Sequence, residues 1–307
     1  MMLDTSIKEI NKLFRFHHID DEIIGIQRLS GTTSGLVLKL ESQKGNTYIL
    51  KYDHPNQIQS GECFFNTYKN STLLPNVLFT ASDRSYFAYT FIEGTTHFNR
   101  GFKKHWLTLL IKELFNKYVH YKDSGIPGLI EYSQETWKEF NLIGIEEARV
   151  NIGDLLSVKD YNFVQSKVEK LFENRMEQGD KFLLHGDTGV HNFVFNQSTL
   201  IGVIDPSPMV GPLTYDFLYA FCSSPDDINV DTLYAAADLL EQGEIDKFRL
   251  IEEVMIQLYC RIGLCVKHHP SDLPGYLKAW EEWKQLCRQL DEGNGIEITD
   301  REREKYQ

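Results

Sequence analysis

The sequence is poor in cysteine, and no run of apolar residues is long enough to cross a bilayer. Its 307 residues contain five cysteines, none of them in a Cys-x-x-Cys pair. Zinc knuckles and thioredoxin-type redox centres therefore lack their usual signature. The N-terminus lacks a basic stretch followed by an apolar run, and no segment approaches ~20 apolar residues, so we expect neither a signal peptide nor a membrane span. These absences predict a cytoplasmic protein with reduced thiols.

Basic residues are also in deficit, since 32 Lys and Arg stand against 44 Asp and Glu, which gives a net charge of −12. An acidic protein repels phosphate backbones and anionic lipids, so we predict that it binds neither nucleic acid nor membranes. The same charge favours cationic small molecules as ligands. The hydrophobic fraction of 42% and the charged fraction of 25% are ordinary for a globular protein. At ~150 residues per domain, the length predicts two domains or one two-lobed unit.

The first part of the chain, residues 1–93, has the pattern of an antiparallel sheet that carries one helix. Short β-branched and apolar runs alternate with turn residues, as expected for neighbouring strands. One apolar pattern of helical spacing, Ile58–Tyr68, interrupts them. The predicted strands are Ile26–Leu29, Leu36–Leu40, Thr47–Tyr52, Asn76–Thr80 and Tyr86–Ile92.

The second part, residues 94–290, is predicted to be mainly helical with a small β insert. Apolar residues recur at steps of three and four over Lys104–Tyr121, which predicts a helix with a wide apolar face. The last residues, 291–307, are rich in charge and form a predicted tail. The further predicted helices are Val158–Gln178, Asp231–Glu241, Ile251–Val266 and Leu277–Leu290. The short apolar runs of the insert are Phe182–Leu184, Phe193–Phe195 and Leu200–Ile204.

The stretch from His185 to Asn192 is the most informative one for chemistry. Asp187 and Asn192 lie between two of the short apolar runs, and Asp205 ends the next strand. Two carboxylates and an amide at the ends of neighbouring strands can converge on one point. Phosphoryl transfer needs such a set, with one carboxylate for the attacking hydroxyl and two oxygen ligands for Mg²⁺. Taken alone, the two aspartates are equally compatible with turn capping beside Gly and Pro.

The N-terminal part favours the phosphoryl-transfer interpretation. Lys51 lies in an apolar strand, and Glu62 on the following helix is predicted to pair with it and to aim it at phosphate oxygens. A lone lysine in a strand is otherwise more often a surface residue. The loop before Gly35 joins the first two strands, where backbone N–H groups and hydroxyls can cover nucleotide phosphates. The loop residues predicted to bind the nucleotide are Ser30, Gly31 and Thr32.

The order of these features along the chain resembles that of the aminoglycoside phosphotransferase and choline kinase family. Its members are small-molecule kinases built like protein kinases. The strongest match is His185-Gly186-Asp187-x4-Asn192, followed by Ile204-Asp205 and Gly211-x4-Asp216. Phe91–Gly94 is similar to the hinge of that family, and Val119-His120 to the end of its first large-lobe helix. The resemblance implies an α+β, two-lobed, protein-kinase-like fold, with a small antiparallel β-sheet lobe and a larger, mainly helical lobe.

The resemblance also implies roles for individual residues. Asp187 is expected to be the catalytic base, and Asn192 and Asp205 to bind Mg²⁺. Lys51 is expected to hold the α and β phosphates of ATP, and Asp216 to anchor the catalytic loop. The residues whose backbone is expected to hold the adenine are Thr90 and Ile92.

The expected activity is transfer of the γ-phosphoryl group from ATP to a hydroxyl of a small, cationic molecule, such as an aminoglycoside-like compound or an amino alcohol. The stretch Ile204–Pro212 is similar to the streptomycin-kinase and hydroxyurea-kinase branch of the family. A nucleotide-binding module without catalysis is the alternative, and a metal-dependent hydrolase is a third. In the hydrolase interpretation, metal ligands would come from His185, Asp187, His191, Asp205 and Asp216. The kinase interpretation treats His185 as structural and His191 as a bystander.

Overall fold

The computed structural model describes residues 5–29, 35–96, 98–121, 136–173, 180–242 and 245–291. None of the helices in these ranges is long and apolar enough to cross a membrane. The strands, all paired antiparallel, are β1 (Ile23–Leu29), β2 (Leu36–Ser42), β3 (Thr47–Tyr52), β4 (Val77–Thr80), β5 (Tyr86–Thr90), β6 (Phe182–Leu184), β7 (Phe193–Asn196), β8 (Thr199–Val203) and β9 (Met209–Gly211). The α-helices are α1 (Ile7–Phe16), α2 (Pro55–Thr67), α3 (Lys103–Glu113), α4 (Trp137–Ile152), α5 (Val158–Glu173), α6 (Leu213–Cys222), α7 (Val230–Ala237), α8 (Lys247–His268) and α9 (Leu273–Asp291).

The contacts within the chain define two compact units. Unit 1 comprises residues 1–101, 109–131 and 181–216, and unit 2 comprises residues 102–108, 132–180 and 217–307. These units interleave along the chain. The predicted division into two lobes, residues 1–93 and 94–290, therefore stays a prediction. Of the predicted tail, residues 291–307, only Asp291 lies within the described residues.

Unit 1 is built on a five-stranded sheet with the order β1-β2-β3-β5-β4, which confirms the antiparallel sheet predicted from the sequence. Helix α1, which the sequence analysis did not predict, packs Ile10 and Phe14 into the core on one face of this sheet. Ser6 caps its N-terminus by accepting a hydrogen bond from the Glu9 N–H. The Asn11 side chain bonds both the N–H and the carbonyl of Ile23, at 2.7 and 2.9 Å, and so fastens α1 to β1.

Side-chain alternation along β3 places Lys51 on the other face of the sheet. Leu50 belongs to the core beneath α1, so its neighbour Lys51 points away from that core. Lys51 lies opposite Phe87 in the register of β3 and β5, and residues directly opposite share a face. Helix α2 covers this face, because the Phe65 ring packs on the rings of Phe87 and Tyr89 at centroid distances of 6.2 and 5.4 Å.

The predicted helix Lys104–Tyr121 is too long. Helix α3 ends at Glu113, and Leu114 has a non-helical backbone with φ −130° and ψ −60°. After one 3-10 turn the chain extends beside β6, where the Leu183 N–H donates to the Val119 carbonyl at 3.2 Å. Pairing with this short strand replaces the last helical turns, although the apolar spacing continues through them.

Unit 2 is mainly helical, which together with the sheet of unit 1 confirms the predicted fold class. Helix α8 packs against α4, α5 and α9. The predicted helices in this part correspond to α5, α7, α8 and α9, whereas α4 and α6 were not predicted. Two buried basic side chains donate hydrogen bonds to carbonyls at the C-terminal end of α6. Lys103 donates to the Phe221 carbonyl at 2.8 Å, and Arg261 donates to the Ser223 carbonyl at 2.9 Å.

Candidate active site

The loop between β6 and β7 carries the candidate chemistry, and Gly186 makes its tight path possible. Gly186 has a φ of +81°, which is unfavourable for residues with a Cβ. A Cβ at this position would lie 2.0 Å from the Ser207 carbonyl oxygen, so another residue could not be accommodated without moving the backbone. The loop ends in a 3-10 turn, Val190–Asn192, which leads directly into β7.

His185 braces the loop from within. Its side chain is fully buried, and its Nδ1 accepts the Asp187 N–H at 3.2 Å. Its Nε2 lies 3.1 Å from the carbonyl oxygen of Ile204, the residue before Asp205. Burial lowers the pKa of His185 to about 4, so the ring is neutral near pH 7 and donates from Nε2 while accepting at Nδ1. One imidazole thus links the backbone at Asp187 to the backbone beside Asp205.

The Asp216 carboxylate anchors the start of the loop. It accepts hydrogen bonds from the N–H groups of His185 and Gly186, at 2.8 and 3.1 Å, and from the Tyr118 hydroxyl at 2.6 Å. The Thr188 hydroxyl donates another hydrogen bond, to the backbone carbonyl of Asp216, at 2.7 Å. Burial raises the pKa of Asp216 to about 7, and the hydrogen bonds oppose this rise by favouring the charged form. The carboxylate holds the backbone that positions Asp187.

Asp187, the predicted base, has two side-chain partners from the 3-10 turn. Its Oδ2 lies 3.0 Å from His191 Nε2 and 2.9 Å from Asn192 Nδ2. Asn192 Nδ2 also donates to the Asp187 carbonyl at 2.9 Å. The side chain of Asp187 is 30% exposed as a whole, although its Oδ1 atom is buried. His191, which the sequence interpretation treated as a bystander, is therefore in direct contact with the candidate base.

The two predicted metal ligands are joined through the β7–β8 hairpin. Phe193 pairs with Val203 at its base, and the Ile204 N–H donates to the Asn192 carbonyl at 2.9 Å. Asp205 follows immediately, with a left-handed backbone at φ +54° that Asp tolerates better than most residues. Its side chain is 51% exposed. The hairpin therefore brings Asn192 and Asp205 to the same end of two paired strands.

Lys51 reaches Asp205 from the sheet. Its Nζ lies 2.7 Å from Asp205 Oδ1 and 3.9 Å from Asp53 Oδ2. The Lys51 and Asp53 side chains are 17% and 7% exposed, so both are largely buried, and the ammonium group lies near two carboxylates. The structure thus brings Lys51 to the loop that carries the other candidate residues.

The predicted pairing of Glu62 with Lys51 is wrong. Glu62 lies on α2, but its carboxylate forms an ion pair with Arg84 in the turn between β4 and β5. Glu62 therefore faces that turn, while Lys51 is paired with carboxylates at the end of its own strand and at Asp205. The sequence did contain a signal that Asp53 lies near Lys51. Asp53 follows Lys51 by two positions, and side chains two residues apart in an extended chain point to the same side.

Thr90 and Ile92 lie where β5 leaves the sheet. The Thr90 N–H donates to the Asn76 carbonyl at 3.0 Å, and its hydroxyl accepts the Asn76 N–H at 2.9 Å. The Ile92 side chain lies over Gly202 of β8, where a Cβ would come within 2.7 Å of it. The β7–β8 hairpin thus contacts the segment predicted to hold adenine. The predicted loop residues Ser30, Gly31 and Thr32 lie outside the described residues.

The described residues contain no larger cluster of metal-binding side chains: no group of three or more His, Cys, Asp or Glu side chains among them is placed to hold a metal ion. Tyr118 is one site residue that sequence reasoning missed, since it was predicted only as part of an apolar helical face. Its hydroxyl, which bonds Asp216, gave no signal in the apolar pattern.

The fold is similar to that of several solved phosphotransferases. The streptomycin-ATP-APH(2")-IIa ternary complex shares 16% identity over 92% of this chain and 99% of that chain, with a TM-score of 0.54. Macrolide 2'-phosphotransferase MphH from Brachybacterium faecium shares 12% identity over 89% of this chain and 97% of its own, with a TM-score of 0.58. Choline kinase from Cryptosporidium parvum Iowa II shares 11% identity over 94% and 97%, with a TM-score of 0.58. No protein-family model and no curated protein sequence matches the chain.

These structures represent small-molecule kinases of the protein-kinase-like fold. The chain has this fold, and the resemblance predicted from its motifs is confirmed at the level of fold.

Proposed function

We propose that this chain is an ATP-dependent phosphotransferase that transfers the γ-phosphoryl group to a hydroxyl of a small, cationic molecule. One observation carries the proposal: the side chains that phosphoryl transfer needs are linked by direct contacts or one backbone hydrogen bond within unit 1. These residues are Lys51, Asp187, Asn192 and Asp205.

Lys51 is the proposed ligand of the α and β phosphates. Its ammonium group is paired with Asp205, so a nucleotide phosphate would take the place of a carboxylate already present. The loop residues Ser30, Gly31 and Thr32 would cover the phosphates with backbone N–H groups. Because the Thr90 N–H is bonded to Asn76, the adenine contacts are assigned to the Thr90 carbonyl and the Ile92 N–H.

Asn192 and Asp205 fit the requirements of Mg²⁺. An amide oxygen and a carboxylate are oxygen ligands of the type that Mg²⁺ prefers, and the ion usually completes its shell with water and substrate phosphates. The exposed side chain of Asp205 leaves room for such partners. Bound there, Mg²⁺ would supply positive charge to offset the negative charge that develops on the transferred group.

Asp187 is the proposed base. Its carboxylate, held by the loop and by two side-chain nitrogens, would orient the acceptor hydroxyl and accept its proton as the phosphoryl group is transferred. His185 and Asp216 would act through the backbone, because they fix the loop without reaching the reacting atoms.

The acceptor is proposed to be a cationic alcohol. The net charge of −12 attracts cations, and the similar structures include one with streptomycin bound and a choline kinase. A macrolide phosphotransferase has the same fold, so bulkier hydroxyl compounds belong in the test as well.

The experiment measures Mg²⁺-dependent ADP release against a panel of acceptors: streptomycin and other aminoglycosides, a macrolide, choline, ethanolamine, homoserine, hydroxyurea and simple sugars. Asp187→Asn is the test variant, and Asp83→Asn, the same change in the β4–β5 turn, is the matched control. Release stimulated by one acceptor, retained in the control and lost in Asp187→Asn, supports the proposal. ATP binding without transfer to any acceptor would overturn it in favour of a nucleotide-binding module without catalysis.

A further inference from the structure

His191 contacts the candidate base through a hydrogen bond. The distance from its Nε2 to Asp187 Oδ2 is 3.0 Å, the length of an ordinary hydrogen bond between a ring nitrogen and a carboxylate. The two side chains are about equally shielded, at 32% and 30% exposure. Both side chains are therefore partly accessible to solvent.

The local backbone explains why this contact forms. In the 3-10 turn the Asn192 N–H donates to the Gly189 carbonyl at 2.9 Å, which folds the chain back toward Asp187. His191 and Asn192 are consecutive, and both direct a nitrogen to the same oxygen, Asp187 Oδ2. One oxygen of the carboxylate is thus held from two directions.

Two donors on one oxygen restrict the rotation of the carboxylate. The Cβ–Cγ torsion of an aspartate is otherwise broad and roughly two-fold, so a singly bonded carboxylate samples many orientations. A base must be held within about 0.5 Å and 10–20° of its productive geometry to work well. Asn192 supplies one of the two restraints through Nδ2, which leaves its Oδ1 for the proposed Mg²⁺, and His191 supplies the other.

We infer that His191 is a positioning residue that fixes the orientation of the Asp187 carboxylate toward the acceptor hydroxyl. The inference rests on the proposed phosphotransferase function and extends it to a residue that needs to touch neither nucleotide nor acceptor. It requires an N–H donor at this position, so glutamine should replace histidine and an apolar ring of similar size should not.

The experiment compares the wild-type protein with His191→Phe and His191→Gln, using the best acceptor of the panel. His191→Phe is expected to lower kcat about 10- to 100-fold, because small misplacements of reacting groups cost about this much, while KM for ATP stays within about threefold. His191→Gln is expected to recover most of the lost rate. His268→Phe, at the exposed end of α8, is the matched control and is expected to retain wild-type kcat.

Three results would overturn the inference: an unchanged kcat in His191→Phe, an equal loss in His191→Gln, or a loss that falls on KM for ATP. If the wild-type protein transfers phosphate to no acceptor, the proposed function fails and this inference fails with it. The contact itself is tested separately by NMR, where the His191 Nε2 resonance should differ between the wild-type protein and Asp187→Asn. Identical resonances would show that the bond does not exist.

Discussion

Lys51 and Asp205 are 154 positions apart in the sequence, yet Nζ and Oδ1 lie 2.7 Å apart. The pair joins the third strand of the sheet to the residue that follows the β7–β8 hairpin. Both groups are assigned to the same bound nucleotide, one to its phosphates and the other to its metal ion. If the proposed assignments hold, a nucleotide and its metal ion would have to separate this ion pair in order to bind both groups.

Lys51→Met is expected to weaken ATP binding about 10- to 100-fold, because a charge-assisted hydrogen bond contributes about 1.5–3 kcal/mol. The measurement is a fluorescence or calorimetric titration with ATP and Mg²⁺. Lys44→Met is the matched control, since Lys44 pairs with an exposed Asp20 at the β2–β3 turn. Equal affinities of the two variants would contradict the assignment of Lys51.

Glu62→Gln is expected to change ATP affinity less than about threefold, because Glu62 is paired with Arg84 and partly exposed pairs contribute at most about 1 kcal/mol. Asp53→Asn is expected to have the larger effect, since the Asp53 carboxylate is shielded and lies 3.9 Å from Lys51. The same ATP titration checks both variants. A greater loss in Glu62→Gln than in Asp53→Asn would restore the pairing predicted from the sequence.

His185 should make the stability of the protein depend on pH. Its folded-state pKa of about 4 lies below the ordinary value of 6.5, so the unfolded chain takes up a proton first as the pH falls. The stabilisation from the neutral ring is complete above pH 6.5 and is lost between pH 6.5 and pH 4, in total about 3 kcal/mol.

Urea unfolding of the wild-type protein and His185→Gln at several pH values measures this loss. The wild-type advantage in unfolding free energy should shrink by about 3 kcal/mol from pH 7.5 to pH 4. Asp216, whose pKa is raised to about 7, acts in the opposite direction, but it is present in both proteins. A difference that does not vary with pH would contradict the buried, neutral state of His185.

The turn of the β7–β8 hairpin offers a stabilising change. Gln197 and Ser198 both have positive φ, +47° and +65°, as in the two-residue turns that favour Asn-Gly. The double change Gln197→Asn with Ser198→Gly should raise the unfolding free energy by about 1 kcal/mol, because it relieves two unfavourable backbone conformations. Thermal and urea unfolding measure the gain, with ADP release unchanged. A loss of stability would show that these side chains contribute more than the turn conformation costs.

The strands of the sheet and the residues of the loop could be predicted because their signals are local. Apolar runs separated by turn residues indicated β1 to β5, and the positions of Asp187, Asn192 and Asp205 indicated polar side chains at the ends of neighbouring short strands. The end of α3 could not be predicted, since pairing with β6 overrides an apolar helical pattern that continues beyond Glu113.

The side-chain partners were harder to predict than the backbone. Glu62 was assigned to Lys51 because both belong to consecutive elements, but the direction in which a helix face points depends on packing, here of Phe65 on Phe87. The contact of His191 with Asp187 depends on a 3-10 turn that no periodic pattern marks. Asp216 was placed correctly as an anchor by resemblance, whereas its partner Tyr118 was not identified.

The hydrogen bonds between α1 and β1 cover part of one edge of the sheet. Strand β1 lies at the edge of the sheet, and an open edge is a template on which a strand of another molecule can pair. Asn11 occupies both outward-facing backbone groups of Ile23, so an incoming strand would have to displace it there first. A polar side chain on an otherwise apolar helix face thereby occupies backbone groups that an open edge would present to another chain.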